Sequence, residues 1–395
     1  MSNPTRYSFP SNIALPRWLA FINQIQNPLA LQKTVDRCLG FIVWDFDTKL
    51  SYAKLIFVVI MYIYLVVCCV CALFLVNPAD VHPDYYLKMW FFIGAGASCS
   101  LPWIALLPAR RHFATIHEFL TDQYRLDPYH PLRYRSRPVI FLCSVFFFSI
   151  NTSISVFWCI LLQGSCPITF AFRYPGVEPA SSLVYLVECF HLGMTANGTM
   201  VTTLTTLLSF IVEFDVLGVE LRESFSTMDV DVIRRSVERH QRLLELVNLF
   251  RAKIKPYFLI AMGLYLFLVT FSCFLLVVQL REGDFQALQF NVFNAAISIV
   301  TIIMFGVICD MVEDRVRRIG DQVYESEWPL KLVYDQGRGD VYRLQKSSLM
   351  MIIARSQKKV GFTCGDIYQM STITSMQVLK LCYTAFTMLW NATNE

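Results

Sequence analysis

Residues Tyr257–Leu280 read YFLIAMGLYLFLVTFSCFLLVVQL, a run without Asp, Glu, Lys or Arg. A helix needs about 20 mainly apolar residues to cross the ~30 Å hydrocarbon core of a bilayer, so this run reads as a membrane span. Directly before it the pattern changes. Ile233, Val237, Leu244, Val247 and Ile254 recur at multiples of three and four residues, interleaved with Arg234, Arg235, Arg239, Arg242 and Arg251. That spacing predicts an amphipathic helix running straight into the span. An apolar rod with a basic, half-apolar handle decides the class: an all-α membrane protein.

Working outward, six more runs have spanning length: Leu55–Val76, Tyr86–Leu107, Val139–Leu162, Leu183–Val212, Phe290–Val312 and Ile373–Trp390. Leu183–Val212 is the weakest, rich in Thr and holding Glu188 and His191, and Ile373–Trp390 is short and holds Lys380. Composition agrees with seven spans. Of 395 residues 55% are hydrophobic and only 16% charged, against about 25% charged in soluble domains. A soluble enzyme is excluded, and a net charge of +4 gives no argument for nucleic acid.

The basic residues orient the chain. Of 34 Lys and Arg, 30 fall before span one, in loops 2–3 and 4–5, and in loop 6–7; the opposite side holds Lys88, Arg173 and Arg281. The positive-inside rule then puts the N-terminus in the cytosol, and an odd span number puts the C-terminus outside. The expected organisation is a cytosolic segment 1–54, spans one to four over 55–212 with an outer loop 163–182, a cytosolic helical extension 213–256, spans five and six over 257–312, cytosolic helices 313–372, and 373–395 as span seven with its extracellular tail. The first 50 residues contain no apolar run with a small-residue cleavage site, so span one is expected to act as the insertion signal.

Two more cytosolic helices are expected. Val312, Val316, Ile319 and Val323 continue the face of span six, and Leu344–Arg355 carries Leu349, Met350, Ile352 and Ile353. Such helices either lie on lipid or pack into a domain that joins subunits; a span that leaves the membrane without a Pro or Gly break up to Gly320 favours the domain.

Catalytic and metal chemistry find little support. The intramembrane ionisable residues are Glu188, His191, Asp310 and Lys380, with Glu213 and Asp310 at inner span ends, an ordinary place for a carboxylate. No nucleophile–base pair is set in a pocket, so no enzyme is expected. His112 and His117 lack a second ligand pair at zinc spacing, so neither metal nor cofactor is expected. Gly94-Ala95-Gly96 lies in an apolar span without a preceding strand, and reads as a place of close helix packing. Cys166 and Cys189 flank the outer loop, where a disulfide and two free thiols both fit.

The last 70 residues carry a signature. Tyr324-Glu325-Ser326-Glu327-Trp328 follows span six, then Leu349-Met350-Met351-Ile352-Ile353-Ala354-Arg355-Ser356-Gln357-Lys358-Lys359, then Leu379-Lys380-Leu381-Cys382-Tyr383-Thr384-Ala385-Phe386-Thr387-Met388-Leu389. This order resembles the C-terminal pattern of insect odorant receptors, an aromatic-Trp element, an Arg-Ser-Gln-Lys element and a Lys/Arg-x-x-x-Tyr-x-x-Phe-Thr element. Ala385 stands where many members carry a second aromatic residue, and Pro329 where Tyr is frequent. Gustatory receptors share the architecture but carry a Thr-Tyr pair where this chain has Thr384-Ala385, and remain the alternative. A metabotropic seven-helix receptor has the reverse orientation, and a transporter would show a repeat or broken helices.

The resemblance implies a ligand-gated, non-selective cation channel of four subunits in the plasma membrane of sensory dendrites. It also implies that this chain is the tuning subunit, partnered by a shared olfactory co-receptor with a longer loop 4–5, and that the cytosolic helices form an anchor domain between subunits. The ligand would be a small volatile organic compound in the outer half of the bundle, between spans two, three, four and six. That maps onto Tyr86, Met89, Trp90 and Ile93; Asn151, Ile154, Ser155 and Trp158; Phe190, His191, Met194 and Asn197; and Phe290, Phe293, Asn294 and Ile297. So aromatic a lining suits a ring compound, with Asn151 or His191 giving one hydrogen bond, although each set is also what a bundle core looks like. On span seven Gln377, Leu381, Thr384 and Met388, with Asn391 or Ala392, share one face. By resemblance Met388 and Ala392 match the gate, where a hydrophobic constriction dewets.

Overall fold

The computed structural model describes residues 83–127, 130–162, 178–227, 230–283, 285–326, 328 and 339–394, together with Leu29 and scattered positions between 56 and 70. The described elements are α1 (Pro83–Leu106), a 3-10 turn (Leu107–Ala109), α2 (Arg110–Leu126), α3 (Pro131–Leu162), α4 (Glu178–Thr227), α5 (Val230–Glu282), α6 (Phe285–Glu325) and α7 (Gly339–Ser356). A two-stranded hairpin of β1 (Thr363–Cys364) and β2 (Tyr368–Gln369) then leads to α8 (Thr372–Asn394). The described positions from 56 to 70 are helical. Ile56, Ile60, Ile63 and Val67 among them are exposed, as suits a helix whose solvent is lipid.

The long helices follow from unbroken patterning. α5 runs 53 residues from the basic amphipathic stretch through the apolar run, with Pro256 inside it, and α6 runs 41 residues. Among the described residues three stretches are long and apolar enough to cross a membrane: Gly198–Ser224, Val230–Leu280 and Leu288–Glu325. Of these, the window in Gly198–Ser224 is 89% buried within the chain, that in Val230–Leu280 only 33%. α4 is thus the central helix, packed on α1, α3, α5 and α6. Its weak hydropathy has a physical reason: it faces protein, and its Thr hydroxyls are satisfied within the helix. Thr203 donates to the Thr199 carbonyl at 2.9 Å, Thr205 to Val201 at 2.9 Å and Thr206 to Thr202 at 2.7 Å.

Two segments that read as connections are structured. The basic stretch between spans two and three forms α2, which buries Phe113, Ile116, His117, Leu120 and Tyr124. Each large apolar side chain so buried is worth roughly 1.5–3 kcal/mol. The linker after α7 forms the antiparallel hairpin, pairing Thr363 with Gln369 and Cys364 with Tyr368. Its turn requires positive φ at Gly365 (56°) and Asp366 (61°). A Cβ at Gly365 would also press into Leu259 of α5. The Gly365 N–H donates to the Lys255 carbonyl at 3.3 Å, and Asp366 receives the Lys255 ammonium at 2.5 Å.

One aromatic cluster joins these pieces. Phe250 of α5 meets Phe113 of α2 at 5.3 Å, Phe210 of α4 at 5.8 Å and Phe362 beside the hairpin at 6.2 Å between ring centroids. Phe258 continues it to Phe362 and to Phe305 of α6, at 6.5 and 5.6 Å. All five of these ring pairs meet edge to face, the arrangement their quadrupoles favour. The core therefore lies at the basic end of the bundle, where α2, the first half of α5, the last part of α6 and α7 come together.

Candidate functional site

Three places bear on function: the apolar end between α5 and α6, the open face of α8, and the joint where α8 begins.

At the apolar end, Phe290 is buried in a small cluster with Leu268 and Leu275 of α5, against which Ile150, Tyr265, Phe267, Phe271 and Ile297 pack. Of the ligand residues expected from the sequence, Phe290, Asn294 and Ile297 thus come together with α5. Phe293 and Trp90 are exposed, and Ile93 is half-buried. The side chains of Tyr86, Met89, Asn151, Ile154, Ser155, Trp158, Phe190, His191, Met194 and Asn197 lie outside the described residues, as do Cys166 and the side chain of Cys189.

A polar seam runs beside this cluster. The Asn294 amide donates to Ser272 Oγ at 3.0 Å, and the Asn291 amide to Gln279 Oε1 at 3.0 Å. All four residues are buried. Ser272 and Gln279 sit two turns apart on one face of α5, Asn291 and Asn294 one turn apart on α6, so the antiparallel helices match polar group to polar group. Sequence reasoning placed only Asn294 near a site. The signal available was the seven-residue spacing of Ser272 and Gln279 in an otherwise apolar run.

Close approach of α1 to α5 is set by Gly94, where a Cβ would collide with the ring of Phe267. Phe267 in turn stacks on Phe271 with centroids 4.3 Å apart. The small-residue stretch thus serves packing, as its place in an apolar span indicates.

On α8, Ser375 and Cys382 are buried and Leu379 packs on the core, while the opposite side is open. Gln377 and Thr384 are exposed, as are Leu381 (57%) and Met388 (67%). Asn391 and Lys380 are exposed too, and the side chain of Ala392 lies outside the described residues. The open side is wider than one stripe, since Ile373, Met376 and Tyr383 flank it.

The start of α8 is held firmly. Ser371 Oγ accepts the Thr374 N–H at 3.2 Å, a local cap. The Thr372 N–H donates to Asp310 Oδ2 of α6 at 2.8 Å, and Ser375 Oγ donates to the Ile302 carbonyl at 3.1 Å. Gln369 donates to Glu313 Oε2 at 3.1 Å. Gly306 makes room: a Cβ there would strike Ser375 Oγ and the Ser371 carbonyl.

Below the apolar end lies a buried charge cluster. Glu213 of α4 is fully buried and takes a two-pronged Arg133 from α3, plus Arg239 of α5 at 2.6 Å. Arg239 also pairs with Glu220, and Arg133 reaches Asp127 at 3.7 Å. Burial disfavours the Arg133 charge, but the hydrogen bond and charge of Glu213 raise its pKa further. Nearby, Arg137 lies over the Tyr124 ring, 6.0 Å from its centre. Among the described residues no cluster of His, Cys, Asp or Glu is arranged to hold a metal ion.

The family model for the seven-transmembrane odorant receptor matches residues 121–383. No curated protein matches the chain by sequence. Among solved structures, the insect olfactory receptor OR5 from Machilis hrabei superposes with a TM-score of 0.69 at 12% identity, over 92% of this chain and 98% of that one. The same receptor in complex with eugenol superposes with a TM-score of 0.66 at 11% identity, over 92% and 99%. The shared fold is that of an insect olfactory receptor.

Proposed function

Because the chain belongs to the insect odorant receptor family, we propose that it is the odorant-binding tuning subunit of a heteromeric, ligand-gated, non-selective cation channel. The observation that carries this reading is the open side of α8. A helix whose buried residues, Ser375 and Cys382, hold it to α5 and α6 presents Gln377, Leu381, Thr384 and Met388 away from its own subunit. Four such helices around an axis would form a pore, polar at Gln377 and Thr384 and closed by an apolar ring at Met388 and Ala392. The flanking Ile373, Met376 and Tyr383 would then be covered by neighbouring subunits.

The ligand is a small volatile compound held among α1, α3, α4 and α6 near Phe290, Asn294 and Ile297. An apolar, aromatic lining with a few polar groups suits such a molecule, and the related receptor bound to eugenol supports a ring compound. The ligand opens the pore only by its differential affinity for the open and closed states.

The test is whole-cell current in cells expressing this chain with and without an insect olfactory co-receptor, across volatile aromatic and aliphatic compounds. Odorant-evoked cation current only with both chains is the expected result. Current from this chain alone would instead mean a self-sufficient channel of gustatory type. A tag at the C-terminus reached from outside intact cells is also expected; a cytosolic tag would remove the channel reading in favour of a metabotropic one.

A further inference from the structure

We propose that Asp310 is a positioning residue for gating, pinning the first turn of α8 to α6 so that α8 moves as a lever about its basic-end terminus. The inference rests on the reading of α8 as the pore helix. Its basis is a single backbone hydrogen bond supplied from another helix.

The first N–H groups of any helix lack partners within it. Thr374 finds one locally in Ser371 Oγ, whereas Thr372, the first residue of α8, donates to Asp310 Oδ2 across 62 positions of sequence at 2.8 Å. A carboxylate there is favoured twice, by a charge-assisted hydrogen bond and by the positive end of the helix dipole. Ser375 bonds the α6 backbone at Ile302, and Gly306 leaves no side chain between them. The backbones of α6 and α8 therefore run close at this joint, where Asp310 bonds the first turn of α8 and Glu313 bonds Gln369 just ahead of it.

Away from that joint α8 loosens. On its inward side Ser375 and Cys382 are 3% and 4% exposed, whereas beyond Cys382 no described residue of α8 is buried, Ala385, Phe386, Thr387 and Trp390 being half-buried. The helix is held more closely in its first half than in its second. α6 links this joint to the apolar end, since it runs without Pro from Phe285 to Glu325 and carries Phe290 about 30 Å and Asn294 about 24 Å from Asp310 at 1.5 Å per residue. A shift of α6 at Phe290 thus reaches the start of α8 through Asp310. Loss of the pin would leave α8 folded and the ligand site intact, while the two helices would move less in concert.

The experiment exploits Pro at the first helical position, where a missing N–H is tolerated. Thr372→Pro deletes the donor, Asp310→Ala the acceptor, and the double variant deletes both. Each is expressed with the co-receptor and challenged with a panel of volatile phenols and aromatic esters headed by eugenol, with surface amount measured in parallel. Each single variant should raise the half-maximal concentration about tenfold or more at unchanged surface amount, the size of one lost charge-assisted hydrogen bond. The double variant should be no worse than the worse single, as expected when both remove one interaction, and Asp310→Asn should fall between wild type and Ala. Effects that multiply in the double variant, or a loss of surface amount at constant half-maximal concentration, would overturn the gating role and leave a contact that only stabilises. Met388→Cys separates the two readings: current through it blocked by a thiol reagent keeps α8 in the pore. Current through the Met388→Cys variant left untouched by the reagent, at normal surface amount, removes α8 from the pore, and the pin then has nothing to gate.

Discussion

Arg133 and Glu213 meet fork to fork, Nε to Oε1 and Nη2 to Oε2 both at 2.8 Å, with neither side chain more than 2% exposed. They are 80 residues apart and join α3 to α4, and Arg239 brings in α5 through the same carboxylate. Taking these charges out of water is expensive, so the pairing fixes which helices meet more than it adds net stability. The cost appears when one partner is lost.

Glu213→Gln leaves Arg133 buried without the carboxylate it grips, while Arg239 keeps only Glu220, and should destabilise the protein by about 3–5 kcal/mol. Arg234→Ala removes an exposed pair with Glu238 and should cost under about 1 kcal/mol. Surface amount and thermal unfolding in detergent measure both. Equal behaviour of the two variants would show that the Glu213 cluster bears no more weight than a surface pair.

This cluster also shows where the sequence stops being readable. Glu213 looked like an ordinary carboxylate at a span end because its partners are brought to it by tertiary packing from distant segments. α2 went unread for a related reason: its buried Phe113, Ile116 and Leu120 are diluted by Arg110, Arg111 and Arg125, so its average polarity is that of a loop. The hairpin at Thr363–Gln369 has strands of two residues, too short for any alternation. By contrast the stretch from Ile233 to Leu280 lies within one helix, α5, and Leu344–Arg355 lies within α7, because their periodicity is local. At the apolar end the resemblance implies Phe290, Asn294 and Ile297 as lining, whereas it does not point to Ser272 and Gln279 of α5, whose partners Asn294 and Asn291 reach them only through helix packing.

Gly94 and Phe267 give a second prediction, on helix approach. Gly94→Ala drives a methyl into the Phe267 ring, and overpacking of this kind costs about 1–3 kcal/mol. Phe267→Ala in the same chain vacates the space, so the double variant should recover surface amount relative to Gly94→Ala alone. A double variant worse than both singles would mean that the glycine serves something other than this contact.

His240 supplies a pH dependence. It is fully buried at the basic end, its Nε2 3.2 Å from Ser356 Oγ, and burial together with the Arg355 charge lowers its pKa from 6.5 to about 4. The unfolded chain therefore binds more protons between these values, so stability rises with pH across that window and its contribution is lost as pH falls from about 6.5 to 4. At one pKa unit per 1.36 kcal/mol the full effect is on the order of 3 kcal/mol. His240→Gln should flatten the slope of melting temperature against pH between about 4.5 and 7, where the unfolded imidazole takes up a proton and the buried one does not. A slope unchanged by that substitution would assign the acid sensitivity to other groups.

Met388 tests the pore itself. It projects from the open side of α8, four residues beyond Thr384 and on the same face. As an apolar ring around a narrow axis it would exclude water when closed and so block ions without any charge. Met388→Ala shortens that side chain in each copy of this subunit around the axis and should raise the spontaneous current or change relative permeability among Na⁺, K⁺ and larger organic cations. Tyr383→Ala, also exposed but a third of a turn away, should leave permeability alone and act on assembly. The pair of variants separates a lining residue from a lipid- or subunit-facing one. Equal effects of both on permeability, or an effect at Tyr383 alone, would turn the pore-facing side of α8 away from Met388 and relocate the gate.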